Sequence, residues 1–330
     1  MENQLTAVVT GASGFVGSHL VDFLLEKNYK VRCIVRKTSS LKWLQGKNVE
    51  IHICELTDKA GLRKIYEGAD YIYHVAGVVK SKKREGYFIG NVETTRALLE
   101  VALEFKDKIK KFLIVSSQTT SGPSLLNSPI TEDAACRPIT TYGRSKLAQE
   151  ELAKTYMNKL KITICRAAAV YGERDTEIFI FFNTFSKGLM TTIGLHDKQV
   201  SLIHVNDVVR GLYLAASSEK SVGQIYFITS EKYYTWKEVG DVTSKVMNKK
   251  PFKIKVPHFI VFIIAAIAQF FSIFSSKAAT LNIEKAKDIT QSAWISDYKK
   301  AYKDFGFKQE ISLEEGIRRT VEWYKEMKWL

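Results

Sequence analysis

Cysteine is scarce in this chain and never paired. Cys33, Cys54, Cys136 and Cys165 form no C-x-x-C unit and show no metal-ligand spacing. No metal site or dithiol centre is therefore expected, and the four read as reduced, mostly core residues of a cytoplasmic protein. Only residues 1–4 precede the first strand-like run, so neither a signal peptide nor export is expected. Carboxylates are outnumbered, with 35 Asp and Glu against 49 Lys and Arg and a formal charge of +14. Such a balance favours anionic partners: phosphorylated cofactors, anionic lipid or nucleic acid. The lysines are spread along the chain with no nucleic-acid motif beside them, so nucleic acid is discounted. At 330 residues and 45% hydrophobic content the chain can bury a large core, in about two domains.

The stretch Leu5 to Leu20 organises the rest. An apolar run, Leu5 to Val9, meets glycines at 11, 14 and 17, and Val16, Leu20, Phe23 and Leu24 follow at helical spacing. That is strand, tight turn and helix start, the arrangement that offers unpaired N–H groups and a partial positive charge to a pyrophosphate. Gly11 permits the turn, Gly14 lets backbone approach phosphate, and Gly17 lets the helix lie against the sheet. Gly11, Ser13, Gly14, Phe15 and Val16 are accordingly expected to line a dinucleotide.

Further strands are predicted at Lys30–Arg36, Val49–Asp58, Tyr71–Gly77, Phe112–Ser117, Lys161–Arg166 and Gln224–Thr229, alternating with helical patterns. The alternation predicts a parallel, doubly wound α/β sheet whose ligand crevice lies at the carboxyl ends of its strands. No acidic residue closes the second strand to accept a ribose 2′-hydroxyl. Arg36 and Lys37 stand there instead, with Ser39 nearby, suited to a 2′-phosphate. Residues 80–85 read as a basic loop, and His74 as a hydrogen-bonded structural histidine.

A helix from Thr140 to about Asn158 carries Tyr142 and Lys146, four residues apart on one face. The spacing alone is weak, since Tyr233/Lys237 and Tyr324/Lys328 share it. Position separates them: only Tyr142 and Lys146 open the helix after the fifth strand, 25 residues beyond Ser117.

On these features the chain resembles the extended short-chain dehydrogenase/reductase superfamily, closest in pattern to its hydroxysteroid-dehydrogenase and dihydroflavonol-reductase branch. The resemblance rests on Thr10-Gly-x-x-Gly-x-x-Gly17, the Ser117/Tyr142/Lys146 set, Ile203-His-Val-Asn-Asp207 and the closing Ser312-Leu-Glu-Glu-Gly316, and it spans nearly the whole chain. It implies a Rossmann-type domain over 1–166 with returning elements near 200–230. A smaller, mostly helical substrate region would then take 167–200 and 231–330. It also implies that Glu55 and Leu56 touch the adenine, with Glu in place of the usual Asp. Val75, Ala76 and Gly77 would form the turn beside the cofactor, and Asn91 would support the active-site backbone. Ala167 replaces the proline usual after Arg166, and Thr94 replaces a common glycine.

The implied chemistry is hydride exchange with NADP(H), NAD(H) being the alternative cofactor. Tyr142 would be the acid/base, Lys146 the ribose anchor that lowers the phenol's pKa, and Ser117 the donor to the developing alkoxide, with Thr119 in reserve. Gln118 and Thr119 stand where sugar-nucleotide dehydratases of this superfamily carry an Asp-Glu pair, which argues against dehydration. The segment Val256–Phe274 is nearly all apolar; from Phe259 on only Gln269 and Ser272 interrupt it. Its sixteen residues from Phe259 to Phe274 reach about 24 Å as a helix, short of the ~30 Å hydrocarbon core. It is expected to be buried, either as the roof of an apolar pocket or as a peripheral membrane contact flanked by lysines. The resulting expectation is an NADP(H)-dependent oxidoreductase for a steroid-like, polyketide-like or long-chain lipid ketone, cytoplasmic or membrane-associated, with a homodimer as the candidate assembly. A nucleotide-sugar epimerase or reductase with bound NAD, and a non-catalytic cofactor sensor, are the alternatives.

Overall fold

The structure is a computed structural model that describes residues 4–274 and 281–330. The chain runs β1 (Thr6–Thr10), α1 (Phe15–Glu26), β2 (Lys30–Val35), β3 (Glu50–Ile53), α2 (Lys59–Tyr66) and β4 (Tyr71–His74). It continues through α3 (Arg84–Phe88), a π turn at Ile89–Glu93, α4 (Thr94–Glu104), β5 (Lys111–Ser117), α5 (Thr141–Lys154) and β6 (Ile162–Ala167). Then come β7 (Ala169–Tyr171), α6 (Phe179–Ser186), β8 (Leu189–Ile193), β9 (Gln199–Val200), β10 (Leu202–His204), α7 (Val205–Ser217) and β11 (Gln224–Ile228). The remainder is β12 (Tyr234–Thr235), α8 (Trp236–Met247), β13 (Phe252–Val256), α9 (His258–Ser272), α10 (Ile283–Ile289), β14 (Ala293–Trp294), α11 (Lys299–Phe305) and α12 (Leu313–Glu326).

Seven strands form one parallel sheet in the order β11-β6-β5-β4-β1-β2-β3. The period-2 alternation of β1 divides the core. Ala7 and Val9 face a layer containing Leu20, Leu24, Val208 and Leu212 of α1 and α7, while Val8 faces Leu62, Leu98 and Ala153 of α2, α4 and α5. The result is the doubly wound Rossmann-type arrangement expected from the sequence. Register brings Thr10, Ile34, His74 and Ile114 level across β1, β2, β4 and β5, so the loops after these strands open on one edge.

A smaller aromatic core joins α6, α8 and α12 around Phe182, Val239, Ile317 and Tyr324. Three expected elements differ from what is observed. The third strand spans only Glu50–Ile53, because Asp58 turns its carboxylate to the N–H groups of Ala60 and Gly61 and starts α2. The basic stretch 80–85 is helical from Arg84 and runs through the π turn into α4. The third is α9. Of its fifteen residues only Val261 and Ala265 are buried, packed with Ala286 of α10, and the rest of its apolar surface is open. Protein covers the helix along one narrow stripe, so of its two expected roles the pocket roof is not what most of its length provides.

Candidate active site

The turn after β1 is a cradle that side chains would fill. Gly11 has φ +69°, and a Cβ there would stand 2.7 Å from the Ala76 nitrogen. A Cβ on Gly17 would stand 2.1 Å from the Gly11 carbonyl oxygen. Both glycines are thus fixed by close backbone approach. The first turn of α1 has Gly14 at its cap, no side-chain cap and no acidic residue, so its N-terminal dipole is uncompensated and faces the crevice edge. Gly14 is exposed, and Ser13, Phe15 and Val16 are half-buried beside it. This geometry fits a pyrophosphate.

The same turn abuts the loop after β4. Thr10 Oγ1 accepts from the Ala76 N–H at 3.2 Å and pairs with His74 Nδ1 at 2.8 Å. His74 is fully buried, its other nitrogen 2.8 Å from Thr95 Oγ1. Burial, helped by the charge of Lys146, pushes its pKa down to about 3, so it is a neutral tie between strands as expected. Asn91 accepts from the Val78 N–H at 2.7 Å and donates to Val78 O and to Ser145 Oγ, stapling this loop to α5.

Helix α5 delivers the reactive pair. Thr140 caps it by accepting from Gly143 N–H at 3.0 Å. One turn on, Lys146 is 3% exposed and donates to the Val115 carbonyl at 2.8 Å. A Cβ on Gly77 would lie 3.8 Å from its Nζ, so the loop that touches the glycine turn also touches the lysine. The Tyr142 phenol meets the Ser117 hydroxyl, which also accepts from Thr119 Oγ1 at 2.9 Å. Ser117, Tyr142 and Lys146 therefore converge at the carboxyl end of β5, next to the cradle.

Their protonation differs from the expectation that Lys146 lowers the phenol. Burial raises Tyr142 to about 12; the Ser117 hydrogen bond pulls it down, and Asp288 and Tyr87 push it up. Burial also lowers Lys146 to about 8, against the opposing pull of Glu150.

At the ends of β2 and β3, Arg36 and Lys37 are exposed, and neither makes an ion pair among the described residues. Ser39 turns its hydroxyl back to the Arg36 N–H at 3.1 Å, which fixes the backbone of that loop. Glu55 is exposed and Leu56 half-buried on the adjoining strand end, as are Val75 and Ala76 on the other side, with Gly77 exposed. Arg36, Lys37, Glu55 and Leu56 would suit the adenosine end of a dinucleotide, and Val75, Ala76 and Gly77 the turn beside it. Gln118 and Thr119 follow Ser117 and bring no carboxylate to the site.

Several supporting residues carried no sequence signal of their own. Glu284 of α10 accepts from Thr141 N–H at 2.8 Å and from Thr141 Oγ1 at 2.7 Å, and Arg144 reaches it at 3.1 Å. A residue 143 positions away thereby helps cap the helix that holds Tyr142. Below the site Arg166 grips Glu150 at 2.7 and 3.0 Å, both fully buried, and Ser116 donates to the same carboxylate. A cavity of about 430 Å³ lies elsewhere, behind α1, between Asp22, Glu173, Arg210 and Trp323. It is apart from the tyrosine and the lysine.

Comparison with known proteins agrees with this geometry. Over 323 residues the chain is 27% identical to a ceramide reductase of Caulobacter vibrioides, covering 98% of this chain and 95% of that one. It is 26% identical to a decarboxylating sterol-4-alpha-carboxylate 3-dehydrogenase of Dictyostelium discoideum, covering 84% and 93%. Its fold matches that of the UDP-glucose 4-epimerase of Thermotoga maritima with a TM-score of 0.80 at 22% identity, covering 98% and 100%. Residues 7–229 match the family model of the NAD dependent epimerase/dehydratase family. The chain belongs to that family and is an NAD(P)-dependent enzyme.

Proposed function

We propose that this member of the NAD dependent epimerase/dehydratase family is an NADP(H)-dependent oxidoreductase that interconverts a ketone and a secondary alcohol on a poorly polar, lipid-like substrate. The observation that carries the reading is the convergence of Ser117, Tyr142 and Lys146 on the loop that also closes the glycine cradle. A bound nicotinamide supplies the hydride chemistry. The residues supply everything else. Tyr142 gives its phenolic proton to the carbonyl oxygen as the alcohol forms, and takes it back in the reverse direction. Ser117 donates to the same oxygen while charge develops on it. Lys146 stands where a ribose hydroxyl would accept from its ammonium.

Preference for NADP(H) is supported by Arg36 and Lys37, exposed at the end of β2 where a carboxylate would be needed for the unphosphorylated ribose. Lack of a carboxylate after Ser117 speaks against dehydration. The reductase and sterol dehydrogenase named among its relatives support an apolar substrate. Nucleotide-sugar epimerisation is the second reading, favoured by the full-length fold match to a UDP-glucose 4-epimerase.

A screen of long-chain and steroid ketones for NADPH oxidation tests the proposal, run beside thermal-shift measurements with NADPH, NADH and UDP-glucose. Turnover of an apolar ketone with a larger shift from NADPH than NADH supports it. Copurified NAD and a shift with UDP-glucose would transfer the assignment to the epimerase.

A further inference from the structure

Beside the crevice mouth, α9 shows solvent an apolar surface that no other described residue covers. Phe259, Ile263, Ile267 and Phe270 recur at intervals of four, four and three, so they share one helical face. Ile263 is 53% exposed and Phe270 57%. The opposite face, Val261 and Ala265, is the stripe that packs on α10. The strand before it, β13, is also open, with Phe252, Lys253, Ile254 and Lys255 all exposed.

The sequence through this surface is basic, although Lys253 pairs with Asp241 and Lys245 with Glu314. Between Asp241 and Glu284 the sequence contains no acidic residue, and of the lysines in that interval Lys249 and Lys255 donate to backbone carbonyls and make no ion pair among the described residues. Across the mouth from the end of α9, a cleft of about 290 Å³ is bounded by Lys83 and Arg84 on one side and Gln269, Ser272 and Ile273 on the other. Tyr87 lines the cleft, and its ring lies 6.5 Å from that of Tyr142. Glu284, the carboxylate at this mouth, is engaged by Thr141 and Arg144.

We propose that α9 and β13 form a docking surface for an anionic lipid bilayer. The helix lies in the interfacial plane with Phe259, Ile263, Ile267 and Phe270 among the acyl chains and lysines at the headgroups. Fifteen residues reach about 22 Å, too short to cross a ~30 Å core, and among the described residues no helix is long and apolar enough to cross a membrane. The arrangement therefore lies on the bilayer. It also turns the mouth of the Tyr142 crevice toward the lipid. This goes beyond the proposed reaction and does not depend on which ketone is reduced.

The test is flotation of the full chain with vesicles of phosphatidylcholine alone and with about a quarter phosphatidylglycerol. Wild type is expected to float with the anionic vesicles, less with the neutral ones, and to be released in part by salt. The double variant Ile263→Glu/Phe270→Glu, whose side chains are exposed and outside the cleft, is expected to partition about tenfold less or worse. Its thermal shift with NADPH should be unchanged, which shows that the fold and cofactor site survive. Equal flotation of the variant and wild type, equal binding to neutral and anionic vesicles, or no binding of wild type to either overturns the proposal. So does a wild-type dimer that ignores vesicles and that the double variant splits, because the face would then belong to a second copy.

Discussion

Helices α5 and α9 border the same crevice and invert the usual rule of burial. α5 is polar, yet Ser145, Lys146, Gln149 and Glu150 are all buried. Each has a partner: Ser145 and Gln149 in the Asn91 and Thr95 network, Lys146 at the Val115 carbonyl, Glu150 on Arg166. α9 is almost wholly apolar and lies mostly in the open. Buried polar groups are costly unless satisfied, and exposed apolar faces are unusual unless something covers them. The first helix thus sets out a reaction and the second a surface for a partner.

The sharpest way to break that contrast is to remove the reacting group from α5. Tyr142→Phe is expected to lower kcat for ketone reduction by about 10²–10⁴-fold while NADPH still binds, read by steady-state kinetics beside a binding titration. Next comes the support beneath it. Glu150→Ala leaves the Arg166 guanidinium buried without its carboxylate, with an expected loss of about 3–5 kcal/mol in denaturant unfolding. Arg36→Ala acts at the far end of the crevice. It should raise KM for NADPH by roughly tenfold or more and leave NADH nearly unchanged, since a charge-assisted contact to a 2′-phosphate contributes about 1.5–3 kcal/mol.

A pH series sharpens the picture further. Lys146 sits at about 8 in the free protein, so it is cationic below that value and loses its charge as pH rises through it. Affinity for the anionic cofactor should therefore decline a few-fold through that window, and Lys146→Met should abolish the dependence. The smallest effect belongs to α9. Ile263→Glu should change unfolding free energy by no more than about 0.5 kcal/mol, because the side chain is already exposed.

Much of the α5 half was legible in the sequence because local chemistry dictates it. Gly11 and Gly17 have no room for a Cβ, and a capped helix after the fifth strand brings residues 142 and 146 to one face. What could not be read there depends on long-range packing. Glu284 reaches the start of α5 only after the chain has folded back 143 residues later. The raised phenol at 142 and lowered ammonium at 146 come from burial, which spacing does not encode. The apolar run at 259–274 left two kinds of cover open for a related reason: composition says that a helix would favour cover, not whether this chain's own residues or a membrane provide it. Arg36, by contrast, was legible as a charge at a strand end, and its exposed position keeps that reading in view.

The most direct measurement is NADPH oxidation by wild type and Tyr142→Phe with an apolar ketone substrate, with NADPH binding measured on the same preparations. The account predicts matched binding and a loss of turnover of at least about a hundredfold in the variant. Near-normal turnover by a folded, NADPH-bound Tyr142→Phe protein would contradict it.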